Sequence, residues 1–364
     1  GVSLPTPSEL SVFEPGWRGF WHHQSVLRKS FALMILSAVA LTTACNLRID
    51  TDPDAGIEVE VPPAEAARAD AYRNIVGIEA ALDANAEMMT RAEMVEDQAR
   101  AIMEALTTIK ENCGTHRELL GSAPEDLSEG QGEADTFRDI QQLLYAAAAA
   151  NLTQVEASDP EFARLVGAIA ADQIMGAKLI EQALAVGSED GDADEPEAEQ
   201  DKSAAQEAID AIPSLLELDN PDPQWAPVIE GFDRMGYLLE IAAARSEKGR
   251  ESLYEDAEIY RATAAKWADH LGIAGASTDP REVGYATPDL TGVGPDDVAA
   301  LQDAVRHTVE EMDFMLGDLL FELPADQRAT AVIELVALQS ESERWAARNA
   351  QVAGLREHGF REAS

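Results

Sequence analysis

The sequence predicts an all-α protein, long antiparallel helices gathered into a helical bundle, on three observations. From residue 64 onward apolar residues recur at alternating steps of three and four, the period of a helix with one buried face. No stretch carries the sustained polar and apolar alternation, rich in β-branched residues, that a half-buried strand needs. Hydrophobic residues make up 46% of the 364, enough to build a core against a formal net charge of -41.

That charge, 27 Lys+Arg against 68 Asp+Glu, excludes nucleic acid as a partner, because so negative a surface repels a phosphate backbone and no local basic run offsets it. The acids are scattered along every predicted helix, with denser patches at 188–199 and 127–135. Asp190, Asp192 and Asp194 alternate, but the Gly and bidentate Glu of a calcium loop do not follow them. With few Lys, many Ala and abundant acid, the composition fits solvation in salty surroundings.

Residues 1–25 read as translated leader and are set aside, so the adjacent His22 and His23 are not taken as a metal site. Residues 26–44 read as a secretory signal: Arg28 and Lys29 precede an apolar run from Phe31 to Leu41, too short for a permanent bilayer helix, which gives way to Thr42, Thr43 and Ala44 and stops at Cys45. This segment resembles the bacterial lipoprotein signal, whose lipobox ends in a small residue followed by the Cys that is lipidated; Ala44 and Cys45 match, and Leu41 sits one place early. The resemblance implies acyl chains on Cys45, more than one for a stable hold. It also implies an outer-membrane address, since Asn46 stands where an Asp would favour inner-membrane retention. Residues 45–63 then form the lipidated Cys and an extended tether ending in Pro62 and Pro63. Cys113 is the other thiol, so the mature chain has no intramolecular disulfide framework.

The bundle is expected in two sub-bundles, 64–187 and 203–358, divided by an acidic linker at 188–202. In the first, Ile75, Ile78, Leu82, Asn85, Met89, Ala99, Ile102, Leu106, Ile109 and Cys113 form one seam. The seam predicts a helix over 64–113, about 75 Å long if it does not bend between Met89 and Met94, with Gly114 as its C-cap. After a loop at 121–133, Phe137, Ile140, Leu144, Ala147 and Asn151 mark a second helix. Asp159-Pro160 opens a third, with Phe162, Val166, Ile169, Gln173, Gly176, Ile180 and Leu184 on its buried stripe.

The second sub-bundle opens with a short helix containing Pro213 and a Pro-rich turn at 219–223. Phe232, Met235, Leu239, Ala242, Ser246, Gly249 and Leu253 continue nearly in phase into Tyr260, Ala264, Trp267 and Leu271. One helix over 224–271 is favoured over a hairpin turning at Lys248-Gly249. A loop at 272–294 leads to Val298, Leu301, Val305, Thr308, Met312, Met315 and Leu319. Past Pro324, Ala331, Leu335, Leu338, Ser342, Trp345, Asn349 and Val352 repeat the pattern as an antiparallel neighbour. Ser342 and Asn349 read as register-setting polar residues.

Candidate chemistry is sparse. Asp303, His307 and Glu311 at i, i+4, i+8 put carboxylate, imidazole and carboxylate on one helix face, where a divalent metal could bind with help from a partner helix. A solvated row of charges has the same spacing. Cys113 and His116 make half a zinc site, but Cys113 falls on the apolar stripe, which favours a buried thiol. Gln173 and Gly176 could open a polar pocket, and a satisfied core Gln beside a close helix crossing is the simpler reading. His270 suits the negative end of its helix. No phosphate loop, H-E-x-x-H, G-x-S-x-G or C-x-x-C-H occurs, so neither an enzyme nor a cofactor is expected. The sequence therefore points to a lipid-anchored helical scaffold, adaptor or spacer, with the membrane at Cys45 and another envelope protein as partners, and with oligomerisation open to the same helix faces. A periplasmic bundle binding a small ligand or divalent metal is the alternative.

Overall fold

Among the residues described by the computed structural model (63–85, 95–125, 127, 134–186, 202–246, 249–288 and 299–342) there are nine α-helices, two short 3-10 turns and no strand. The expected all-α class is what is observed. The leader, the signal, Cys45, the tether up to residue 62, the linker residues 188–201, and Trp345, Asn349 and Val352 lie outside the described residues.

The expected helix over 64–113 is two helices, α1 (Pro63–Asn85) and α2 (Glu96–Leu120), folded back on each other. Arg68 at the start of α1 donates through Nη1 to the carbonyls of Leu120 and Ser122 at 2.8 and 2.7 Å, while Asp83 near its end meets Lys110 at 2.6 Å. Gly114 does not end α2. That role falls to Gly121, whose φ of 80° is a left-handed value that a side chain resists, and whose N–H bonds to the carbonyls of Arg117 and Glu118.

Helix α3 (Phe137–Ala157) begins at a capping box made by Thr136 and Asp139. Helix α4 (Pro160–Ala185) begins where Asp159 accepts from the Phe162 N–H and Pro160 occupies the first turn, as expected. Buried positions surround α4 on all sides, and it packs against α2, α3 and the last two helices, so it is the axis of the fold. Gly167 permits one of these crossings: a Cβ there would stand 2.7 Å from Leu320 Cδ1 and 3.2 Å from Val332 Cγ2.

Helix α5 (Ala204–Asp210) ends before Pro213, which therefore lies in a connection and not in a helix. The connection carries the 3-10 turns Leu215–Glu217 and Pro223–Trp225. Helices α6 (Ala226–Arg245) and α7 (Arg250–His270) form a hairpin, which corrects the single helix expected over 224–271. The turn at Gly249 has φ 73°, and Arg250 Nε closes the end of α6 by donating to the carbonyls of Ala243 and Ser246. Phe232 of α6 packs edge-on to Trp267 of α7, ring centroids 4.6 Å apart. Helices α8 (Ala299–Glu322) and α9 (Ala325–Ser342) turn at Pro324 and run antiparallel, Gln339 Nε2 donating to Asp313 Oδ1 at 2.7 Å.

The core does not divide at the acidic span. One continuous apolar cluster takes in Ile75, Ile140 and Ile169 from one expected sub-bundle and Trp225, Met235 and Leu335 from the other. Helix α4 packs on α8 and α9, and α3 on α9. Arg328 of α9 donates to the carbonyls of Val155 and Ser158, satisfying groups left over at the end of α3. None of the described helices is long and apolar enough to cross a membrane.

Candidate functional site

Buried polar groups on an otherwise apolar axis mark the place where the fold departs from simple packing. In α4 they are Asp172 and Gln173, neighbours in sequence and 7% and 3% exposed. Successive helix residues point about 100° apart, so the two reach different helices. Asp172 Oδ2 lies 2.8 Å from Nε2 of His116 on α2, and Gln173 Oε1 accepts from Nδ2 of Asn151 on α3 at 2.9 Å. An ionised carboxylate can only accept, so Nε2 of His116 carries the hydrogen. His116 Nδ1 and Gln173 Nε2 are buried with no hydrogen-bond partner among the described residues.

Cys113 stands one turn before His116 and is also buried. Burial pushes its thiol up to about 12, with the negative charges of Glu79 and Asp172 adding and Arg117 opposing. It is therefore held as a protonated, slow thiol, and the imidazole beside it is committed to Asp172, not to a shared metal. In a Cys45→Ala chain, a disulfide reagent at pH 8 should modify Cys113 about 10³-fold more slowly in the native state than in denaturant. Comparable rates would place the thiol in contact with solvent.

The Asp303, His307 and Glu311 row does share one face of α8, but its members are engaged by neighbouring side chains. Arg306 meets Asp303 at 3.0 Å, and Arg234 of α6 and His307 both meet Glu311, at 3.2 and 3.3 Å. The side chains of His307 and Asp303 are 62% and 70% exposed, so the row is solvated. Among the described residues no group of three or more His, Cys, Asp or Glu could hold a metal ion. His270, the last residue of α7, donates from Nε2 to the Leu218 carbonyl at 2.9 Å, tying the connection to the hairpin.

A second polar constellation went unread in the sequence. Asp233 of α6, 4% exposed, accepts from the Tyr285 hydroxyl at 2.8 Å and faces Arg261 Nε of α7 at 3.3 Å. Gly236 makes room for Arg261, because a Cβ there would lie 2.4 Å from Arg261 Cγ. Tyr285 belongs to a strap after α7, in which Arg281 grips Asp279 with two parallel bonds of 2.9 and 2.7 Å and so holds that carboxyl well below the usual range. Burial, reinforced by Asp233, pushes the Tyr285 phenol well up, so it stays a donor. The change Tyr285→Phe should cost about 1 kcal/mol and speed limited proteolysis within 272–288. An unchanged cleavage pattern would mean that the strap is held elsewhere.

Both constellations are structural in form: the first is buried and joins α2, α3 and α4, and the second joins α6, α7 and the strap, with Arg261 32% exposed at its edge. The two best-formed depressions are shallow and open, lined on α7 and its neighbour by Tyr254, Glu258, Glu240 and Arg261 among others. Asp172 is missed by the apolar spacing although it carries a signal, as the one acid between Glu161 and Glu181; its partner, 56 residues away, carries none. Comparison of the chain with protein-family models, curated proteins and solved structures finds no significant match.

Proposed function

We propose that the protein is a helical adaptor or spacer of a bacterial envelope, tethered to the outer membrane through lipid on Cys45 and working through contacts with another envelope protein. The observation that carries this reading is the run from Arg28 to Cys45, in which a basic flank, an apolar segment and a lipobox-like ending coincide. The body is consistent with it. Its polar core groups join helices to one another, and several large side chains (Met103, Tyr254, Ile259 and Phe321) remain 46 to 57% exposed on an acidic surface where a partner could engage them. Burial of metal-binding or catalytic groups in a pocket would favour a different reading, and the acids of the row on α8 are paired with Arg234 and Arg306.

Labelled palmitate should be incorporated by the wild-type chain and lost on Cys45→Ala, with the variant moving from the membrane to the soluble envelope fraction. Unlabelled wild-type protein in the cell interior would overturn the proposal. Cross-linking before solubilisation, followed by affinity purification, should then recover a partner in stoichiometric amount.

A further inference from the structure

Helix α4 has a problem of identity. Around Asp172 and Gln173 its sequence is Ala168, Ile169, Ala170, Ala171, then Ile174, Met175, Gly176 and Ala177, apolar residues on every side. Turning such a helix by one residue, or sliding it by one turn, would exchange many Ala and Ile contacts for others of similar shape. The Ala and Ile layers distinguish these dockings weakly, and the close approaches at Gly167 and Gly176 supply the steric part of the register. The two polar residues at its centre break that degeneracy, because each finds its hydrogen-bond partner in one arrangement: Asp172 with His116 on α2, Gln173 with Asn151 on α3.

We propose that these two pairs form a two-sided register lock, fixing the rotation and height of α4 against the α1–α2 hairpin on one side and against α3 on the other, at a net expense in stability. The second half rests on the enclosure of four polar side chains in an apolar core, with His116 and Asn151 each 2% exposed, Gln173 3% and Asp172 7%. Apolar packing of similar volume in place of a buried polar pair is often as stable or more stable. The lock also explains why adjacent residues are used: positions 172 and 173 point to different neighbours at one height along α4, so a single slip breaks both pairs together.

The test uses the full chain with His116→Leu and Asp172→Ala combined, which keeps the summed side-chain volume close to the original and extends the Ala run of α4. The urea midpoint of this double variant should be equal to or above that of the wild type. Its amide resonances for α2 and α4 should be doubled or broadened, reporting more than one docking. The swapped pair, His116→Asp with Asp172→His, should restore a single sharp set. One sharp set in the apolar variant overturns the proposal, and so does an apolar variant that unfolds at lower urea than the wild type, since the pair would then be a stabilising contact. Failure of the swap to restore single resonances overturns it as well.

Discussion

Replacing His116 alone with Leu should destabilise the bundle by about 3 to 5 kcal/mol, the larger of the effects expected from any single change among the core polar groups. The loss does not come from the imidazole's own packing, which Leu largely replaces. It comes from Asp172, whose Oδ2 loses a donor at 2.8 Å while the carboxylate stays in the core at 7% exposure. Removing the carboxylate instead, with Asp172→Ala, leaves the His116 imidazole short of one bond and should cost about 1 to 3 kcal/mol. The two losses should be far from additive, because the second change removes the group that the first one deprives of its His116 donor. Urea unfolding followed by circular dichroism on the four proteins of this cycle gives the coupling directly. A loss below about 1 kcal/mol for His116→Leu would show that Asp172 is satisfied in the core without the imidazole.

How much of this could be read from the sequence depends on what kind of signal each feature leaves. Helices α3, α4, α8 and α9 were legible from their apolar spacing, with Asp159-Pro160 marking the start of α4 and Pro324 the break between the last two. The hairpins were missed for a geometric reason. Four positions separate the end of α6 at Arg245 from the start of α7 at Arg250, close to the 3.6 of one helical turn, so the apolar stripe runs from one helix to the next without losing phase. The positive φ of Gly249 is the break, and a glycine alone does not announce it. Gly114 shows the converse, since a glycine inside a helix costs about 1 kcal/mol relative to Ala and α2 runs through it to Leu120. The acidic span was read as a divider because its composition is that of a linker. Composition says nothing about whether the segments on either side share a core, and here they do. Likewise, helical spacing showed that Cys113, Gln173 and Gly176 lie on a buried stripe, but the pairing of His116 with Asp172 is a long-range fact that no local pattern carries.

Trp225→Ala should be nearly as damaging, at about 3 to 5 kcal/mol, and for a different reason. The connection from α5 to α6 is short of regular structure and must satisfy its backbone elsewhere. It does so on α9, where Gln327, Thr330 and Glu334, at steps of three and four, present one row of polar side chains. Thr330 Oγ1 donates to the Pro213 carbonyl at 2.9 Å, and Glu334 Oε1 accepts from the Leu215 N–H at 2.7 Å. Gln327 Oε1 accepts from the Asp222 N–H at 2.9 Å and from the Trp225 indole N–H at 3.2 Å, while its Nε2 donates to the Asn220 carbonyl. Trp225 is fully buried, so its ring fills the space between this connection and the helices, and its N–H completes the Gln327 network. Truncation to Ala removes both, leaving a cavity beneath a segment with little regular structure of its own. Trp225→Phe keeps much of the apolar body and loses the indole donor, so it should cost about 1 to 2 kcal/mol, and Gln327→Leu should fall in the same range while leaving the ring in place. If the ring is the anchor, the Ala variant unfolds at clearly lower urea than either of the others. Were Gln327→Leu as harmful as Trp225→Ala, the hydrogen bonds and not the buried ring would be holding the connection down.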